Sequence, residues 1–308
     1  CNPKRYTFAS KKNFDGTENK LNLYNIVPKG QNCDMVLTYL QPEILTDEEY
    51  KELVNSETYI FLYKEGPEEF EKKYISKELY VFDTKLDFSD TNIISLPNNL
   101  TSHLVELYCK NCASLAELPD NLGTICPNLN ILSVSGCSSL MKLPDNLPHN
   151  LKILDCSYCN SFIKLPDNLP PNLLKLYCGG CELLKELPDN LGTTCPRLSI
   201  LNCSFLPNLT KLPDKLPSNL VELNCRDSEN LIQLPDNLGT SCSNLKKLYC
   251  FNCILLKKLP NNLPRDLITL SCVNCPFLEK LPNKLGQTYP NLSELDYHNC
   301  EGLEKLPD

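Results

Sequence analysis

Five Cys-x-x-Cys pairs punctuate this chain: Cys109/Cys112, Cys156/Cys159, Cys178/Cys181, Cys250/Cys253 and Cys272/Cys275. Thiols at this spacing can bind zinc in ribbons, cycle as redox dithiols, or build a disulfide framework. Nineteen cysteines in 308 residues make all three worth weighing. The histidines, His103, His149 and His298, have no Cys or Ser partner at an activating position, and no glycine-rich phosphate loop is present. The positions of the cysteines have to decide, and they depend on what repeats around them.

The dipeptide Leu-Pro recurs from Leu96 to Leu306 at intervals of 22 or 25 residues. The short unit reads LPDNLPPNLLKLYCGGCELLKE from Leu165, and the long unit reads LPDNLGTTCPRLSILNCSFLPNLTK from Leu187. The near-alternation suggests growth by duplication of a pair, and a period in this range implies a solenoid. Aligned on Leu-Pro, seventeen cysteines fall into three columns, leaving only Cys1 and Cys33 outside. The first column runs Cys109, Val134, Cys156, Cys178, Cys203, Cys225, Cys250, Cys272, Tyr297. The second includes Cys112, Cys137, Cys159 and Cys181, with Leu206 and Ser228 as exceptions. The third, Cys126, Cys195 and Cys242, lies in the long units, with Tyr289 at the fourth position. A ligand or a redox thiol does not exchange with Val, Tyr or Leu, but a small buried hydrophobe does, and free cysteine behaves as one. In a strand, residues i and i+2 share a face, so Leu176 and Cys178 both point inward. Stacked strands lie about 4.8 Å apart, within disulfide reach, so six stacked cysteines from Cys156 to Cys272 point to a reducing cytosol. No metal or cofactor is expected.

The pattern L-x-x-L-x-C-x-x-C-x-x-L-x-x-L-P resembles the leucine-rich repeat over nine full units from Leu104, plus a shorter unit, LDFSDTNIISLP, at residues 86–97. The units ending in Leu-Pro are similar to the repeats of secreted bacterial effectors, and GCSSLMKLPDNL at residues 136–147 is similar to those of plant resistance receptors. The resemblance implies an α/β-type solenoid: a horseshoe with a parallel β-sheet on its concave side and an extended or 3-10 convex side. Residues 86–308 form the repeats. Residues 1–85 form a mixed N-terminal region whose segments 45–54 and 66–74 read as two short capping helices, with Thr46 and Glu49 as a capping box. The cysteine at the second column is expected to satisfy backbone groups at the turn. Some effectors of this kind carry a ubiquitin-ligase domain with a catalytic Cys-x-Asp. Cys225-Arg226-Asp227 has those letters but sits in a buried repeat column, so no enzyme is expected in this chain.

Three columns flank the inward residues and point outward into the concavity. They contain Ile131, Ile153, Lys175, Ile200 and Lys247; Tyr108, Asp155, Tyr177 and Tyr249; and Arg226 and Phe251. The inward columns are fixed by packing, and these are not. Tyr, Phe and Arg are the types enriched at binding hot spots, although strand propensity alone also favours Ile and Tyr. We expect a non-enzymatic surface for a protein partner, in the manner of a bacterial effector in host cytosol. Alternatives are the substrate-recruiting part of a larger enzyme such as an effector ubiquitin ligase, and an innate-immune or viral repeat protein. On the opposite edge, Lys before and Asp after each Leu-Pro stack as a solvated ladder.

A net charge of −8 argues against nucleic acid as partner, since phosphate binding needs a basic surface. No apolar run approaches the roughly 18 residues of a membrane span. CNPKRYTF does not resemble a signal peptide and does not begin with Met, and the chain stops at a repeat boundary. Further residues are expected before Cys1, and a continued array or another domain after Asp308.

Overall fold

The computed structural model of the chain describes residues 84–96, 100–282 and 285–304. The helical readings at 45–54 and 66–74 lie outside these residues. Ten strands of three residues each are formed: β1 Lys85–Asp87, β2 Glu106–Tyr108, β3 Ile131–Ser133, β4 Ile153–Asp155, β5 Lys175–Tyr177, β6 Ile200–Asn202, β7 Glu222–Asn224, β8 Lys247–Tyr249, β9 Thr269–Ser271 and β10 Glu294–Asp296. They build one sheet in sequence order, and every pair is parallel.

The strands are short because each unit supplies one L-x-C step before turning away. Its central Leu points inward, so Leu107, Leu132, Leu154, Leu176, Leu201, Leu223, Leu248 and Leu270 stack in one fully buried row. Each such burial contributes about 1.5–3 kcal/mol relative to exposure. Ladder bonds continue beyond the strands: Cys203 N–H donates to Asn224 O at 2.8 Å, and Phe205 N–H to Arg226 O at 2.8 Å.

The long units differ from the short ones in a way the expected extended or 3-10 convex side did not include. Their extra residues close single α-helical turns: α1 Leu122–Ile125, α2 Leu191–Thr194, α3 Leu238–Ser241 and α4 Leu285–Thr288. The leading Leu of each turn is buried. Elsewhere the convex side is turns and extended chain, with isolated parallel bridges such as Lys142↔Lys164 and Lys211↔Gln233↔Lys258 just before Leu-Pro. The asparagine preceding the first Leu of many units donates its amide to the previous unit, as in Asn150 to Pro127 O (3.0 Å), Asn172 to His149 O (3.2 Å) and Asn219 to Pro196 O (2.8 Å).

The thiols take up carbonyls that the strands leave over. Second-column thiols donate back to the preceding unit: Cys137 to Cys109 O (2.9 Å), Cys181 to Cys156 O (3.2 Å), Cys275 to Cys250 O (3.2 Å). First-column thiols donate forward, as Cys156 does to Tyr177 O at 3.4 Å. Where Ser228 replaces the second cysteine, its hydroxyl makes the same backward bond, to Cys203 O at 3.4 Å. The hydroxyl keeps the bond in place of the thiol, whereas Leu206 at the same position fills the space without it.

Burial pushes the thiols of Cys109, Cys156, Cys178, Cys203 and Cys250 well above the ordinary value. The contact between the Cys112 and Cys137 thiols lowers the first and raises the second, and both are fully buried. The seventeen cysteines from Cys109 to Cys300 are unpaired. Among the described residues no group of three or more His, Cys, Asp or Glu is arranged to hold a metal. Intact-mass analysis after denaturing alkylation without reductant should find all seventeen repeat thiols free, and metal analysis should find no zinc. Stoichiometric zinc or several protected disulfides would overturn this.

Candidate recognition surface

The strand register aligns the outward residues into the columns read from the sequence. Glu106, Ile131, Ile153, Lys175, Ile200, Glu222 and Lys247 follow one another on successive strands, and so do Tyr108, Ser133, Asp155, Tyr177, Asn202, Asn224 and Tyr249. Tyr108, Ile131, Ile153, Asp155, Lys175, Tyr177, Ile200, Arg226, Tyr249 and Phe251 are half-buried, and Lys247 is exposed. They form one continuous face, with Tyr177 on β5 and Tyr249 on β8, three strands apart.

Not every outward position is open. Ser133, Ser204 and Thr269 are buried, each with its hydroxyl donating to a neighbouring side chain. Ser133 bonds Asp155 Oδ2 at 3.3 Å, Ser204 bonds Asn202 Oδ1 at 2.7 Å, and Thr269 bonds Glu294 Oε2 at 2.7 Å. Small hydroxyls sink beneath larger neighbours, so the accessible face is carried by the aromatic, Ile and charged positions. Burial, with Glu106 accepting its hydroxyl proton at 3.1 Å, pushes Tyr108 up to about 12. Burial first, then Glu222 and Asp155, raises Tyr177. Both remain neutral donors at physiological pH.

One edge of this face carries aromatics that the column argument did not single out. The second residue between each cysteine pair turns the chain with positive φ: Asn111, Gly136, Tyr158, Gly180, Phe205, Asp227, Asn252, Asn274 and Asn299. Asn, Asp and Gly tolerate this region, whereas for Tyr158 (φ 58°) and Phe205 (φ 54°) it costs about 1–3 kcal/mol. The polar members bond along the edge, Asn252 Nδ2 to Asp227 Oδ1 at 2.6 Å and Asn274 Nδ2 to Asn252 Oδ1 at 2.7 Å. The two aromatics are exposed. The Tyr158 ring lies over Gly180, so close that a Cβ there would sit 2.4 Å from its Cδ1. The Phe205 ring lies against the Arg226 guanidinium at 5.1 Å, and Phe251 lies on it at 5.3 Å.

A double-mutant cycle checks the contact of Tyr158 with Gly180. Gly180→Ala should destabilise by about 1–3 kcal/mol, through both its φ of 73° and the clash. In a Tyr158→Asn background the clash disappears and part of that loss should return. Equal losses in both backgrounds would show that the ring does not rest there.

Catalysis finds little support in this geometry. Cys225 is fully buried, and its thiol is up at about 11, because burial and neighbouring thiols outweigh the lowering hydrogen bond from Cys253. Two surface grooves of about 210 and 240 Å³ lie on the opposite edge, along Lys164–Asp167–Asp189 and Glu117–Asp120–Lys142. Both are below the roughly 300 Å³ of ordinary small-molecule sites. There Lys164 pairs with Asp167 at 3.0 Å, two exposed side chains of the expected solvated ladder.

Units of 22 or 25 residues, one strand each, inward Leu and Cys rows and parallel stacking define a leucine-rich repeat solenoid, and the chain is a leucine-rich repeat protein. Among solved structures it is similar to YopM from Yersinia pestis, a leucine-rich effector protein, with 27% identity and a TM-score of 0.50, over 72% of this chain and 67% of that one. YopM from Yersinia enterocolitica WA-314 matches at 24% identity and TM-score 0.32, over 72% of this chain and 61% of the other, so the chain spans less than two thirds of that relative. The leucine-rich repeat domain of the type III effector XopL matches at 21% identity and TM-score 0.46, over 66% and 72%. No protein-family model and no curated protein sequence matches the chain.

Proposed function

We propose that the chain is a non-enzymatic recognition module that binds a protein partner on the concave face of its sheet. The observation that carries this is the contrast between two sets of columns. Inward rows repeat Leu and Cys with little change, while the outward rows change chemistry from strand to strand and place Tyr177, Tyr249, Arg226 and Phe251 on one accessible face. Ile131, Ile153 and Ile200 add apolar area of the kind partners cover.

The likeness to the Yersinia pestis effector supports a role as a bacterial effector. Unpaired, closely stacked thiols support a reducing compartment such as host cytosol. No helix among the described residues is long and apolar enough to cross a membrane.

The test begins with affinity capture from host lysate and identification of the partner by mass spectrometry. Lysine acetylation footprinting of the purified complex then locates the contact. Lys175 and Lys247 on the concave face should be protected, and Lys164 and Lys211 on the opposite edge should stay reactive. The reverse pattern would place the partner on the convex side.

A further inference from the structure

We propose that Arg226, stacked between the rings of Phe205 and Phe251, is a carboxylate-binding site through which the concave face takes an acidic segment of its protein partner; this rests on the recognition reading above. Its guanidinium carbon lies 5.1 Å from the Phe205 ring centre and 5.3 Å from that of Phe251. The rings hold the group in place, and with the side chain 39% exposed a ligand would meet its outer nitrogens while Nε stays buried. An arginine fork is planar and matches a carboxylate bidentately.

The protein engages the guanidinium only through a long ion pair. Its Nε is buried with no hydrogen-bond partner. Asp227 approaches Nε only to 3.6 Å, and its other oxygen is engaged by Asn252 at 2.6 Å. Glu222, the remaining acid on the outward columns of this strand, lies opposite Lys247 in the register. Across β5 to β8 the outward columns and the left-handed edge beside them carry Lys175, Arg226 and Lys247 against Glu222 and Asp227, in a chain of net charge −8. The middle of the face is therefore a basic island in an acidic molecule, and charge complementarity selects an acidic segment.

The backbone adds a separate reason. Phe205 sits in the left-handed region, where four other units carry Asn and two carry Gly. Asn there would relieve the conformation and extend the edge ladder. The bulky ring keeps the strain and gains its place against Arg226, and strain of this kind gathers at binding sites.

The test uses the intact chain and a fluorescein-labelled hexaglutamate peptide, read by anisotropy at low ionic strength, with hexalysine as control. Hexaglutamate should bind and hexalysine should not. Arg226→Gln should weaken hexaglutamate at least about tenfold, the loss expected for one charged hydrogen-bonding partner. Arg226→Lys keeps the charge but loses the fork and should still weaken it severalfold. Phe205→Asn leaves every charge in place and removes one face of the stack; it too should weaken binding, which long-range attraction alone does not predict. Melting temperatures no lower than that of the unmodified chain show that the variants fold, and Phe205→Asn, relieved of its backbone strain, should melt no earlier. Failure of hexaglutamate to bind, or equal binding by Arg226→Gln, overturns the proposal. If Lys175 and Lys247 are nevertheless protected by the captured partner, the recognition reading stands and only the carboxylate assignment fails. If those lysines stay reactive, the recognition reading itself has failed.

Discussion

Cys203→Asp should unfold or nearly unfold the repeat array at neutral pH, a loss above about 4 kcal/mol. Cys203 is fully buried, and its surroundings already push its own thiol well above the ordinary value, burial first and Cys178 and Cys253 next. A carboxylate there has no cation to pair with, and an unpaired buried charge is among the most costly single changes. The new carboxyl would have a raised pKa in the folded state. Its ionisation penalty is therefore full above the folded value and absent below the unfolded value of about 4, so the deficit should shrink as pH falls. Asn202→Asp, one residue earlier, is the control. Asn202 Oδ1 accepts from Ser204 N–H at 3.1 Å and from Ser204 Oγ at 2.7 Å, and a carboxylate can accept both. Asp155, two strands away in the same column, already makes the equivalent bond to Ser157 N–H at 3.2 Å. The control should shift stability by about 0.5 kcal/mol or less. Equal urea midpoints for the two variants would mean that the inward and outward rows have been exchanged.

Tyr177→Ala combined with Tyr249→Ala should weaken the captured partner by about 2 kcal/mol or more, roughly thirtyfold. The two rings share a column three strands apart, about 14 Å at the usual strand spacing, so one partner can cover both. Both are half-buried at the surface of the sheet, and neither belongs to the inward core. Melting temperature should therefore hardly move while binding falls. Asp167→Ala with Asp189→Ala, on the opposite edge, should leave binding nearly intact. Loss in the edge pair with retention in the tyrosine pair would make the convex ladder the working surface.

Strand phase, sheet order and the inward fate of the cysteines were readable because a repeat supplies its own controls. Val134 in the first cysteine column, and Leu206 and Ser228 in the second, show within one chain what the positions accept: buried apolar bulk in both, with a carbonyl taken up in the second when the side chain can donate. The α-helical turns were harder to see. LGTT and LGTS follow Asn190 and Asn237 at the N-cap, but neither side chain makes a capping bond and four residues show no period; the turn forms because three added residues must fold back before the next strand. The left-handed edge is legible in composition alone. Asn, Gly and Asp dominate the second position between the cysteines, a composition that marks positive φ. Tyr158 and Phe205 stand out against it as soon as that column is written down. The stacking of Phe205 on Arg226 was not legible, because it joins residues from different columns of neighbouring units; Phe251 follows Arg226 within one outward column, so their contact could be read from the register.

Every strand touches only the strand before it and the strand after it. From Leu187 to Leu234, one long and one short unit together span 47 residues, and the chain re-enters the same structural phase. Such a pair is a cassette. Removing it would leave β5 and β8 as neighbours, with Tyr177 beside Tyr249 and the thiol of Cys253 facing the carbonyl of Cys178 as it now faces that of Cys225. Copying it would lengthen the face by two strands without any new kind of contact. Recombination between near-identical units can thus edit what this surface recognises while the scaffold beneath goes unaltered, so breadth of recognition can evolve by counting units as well as by changing side chains.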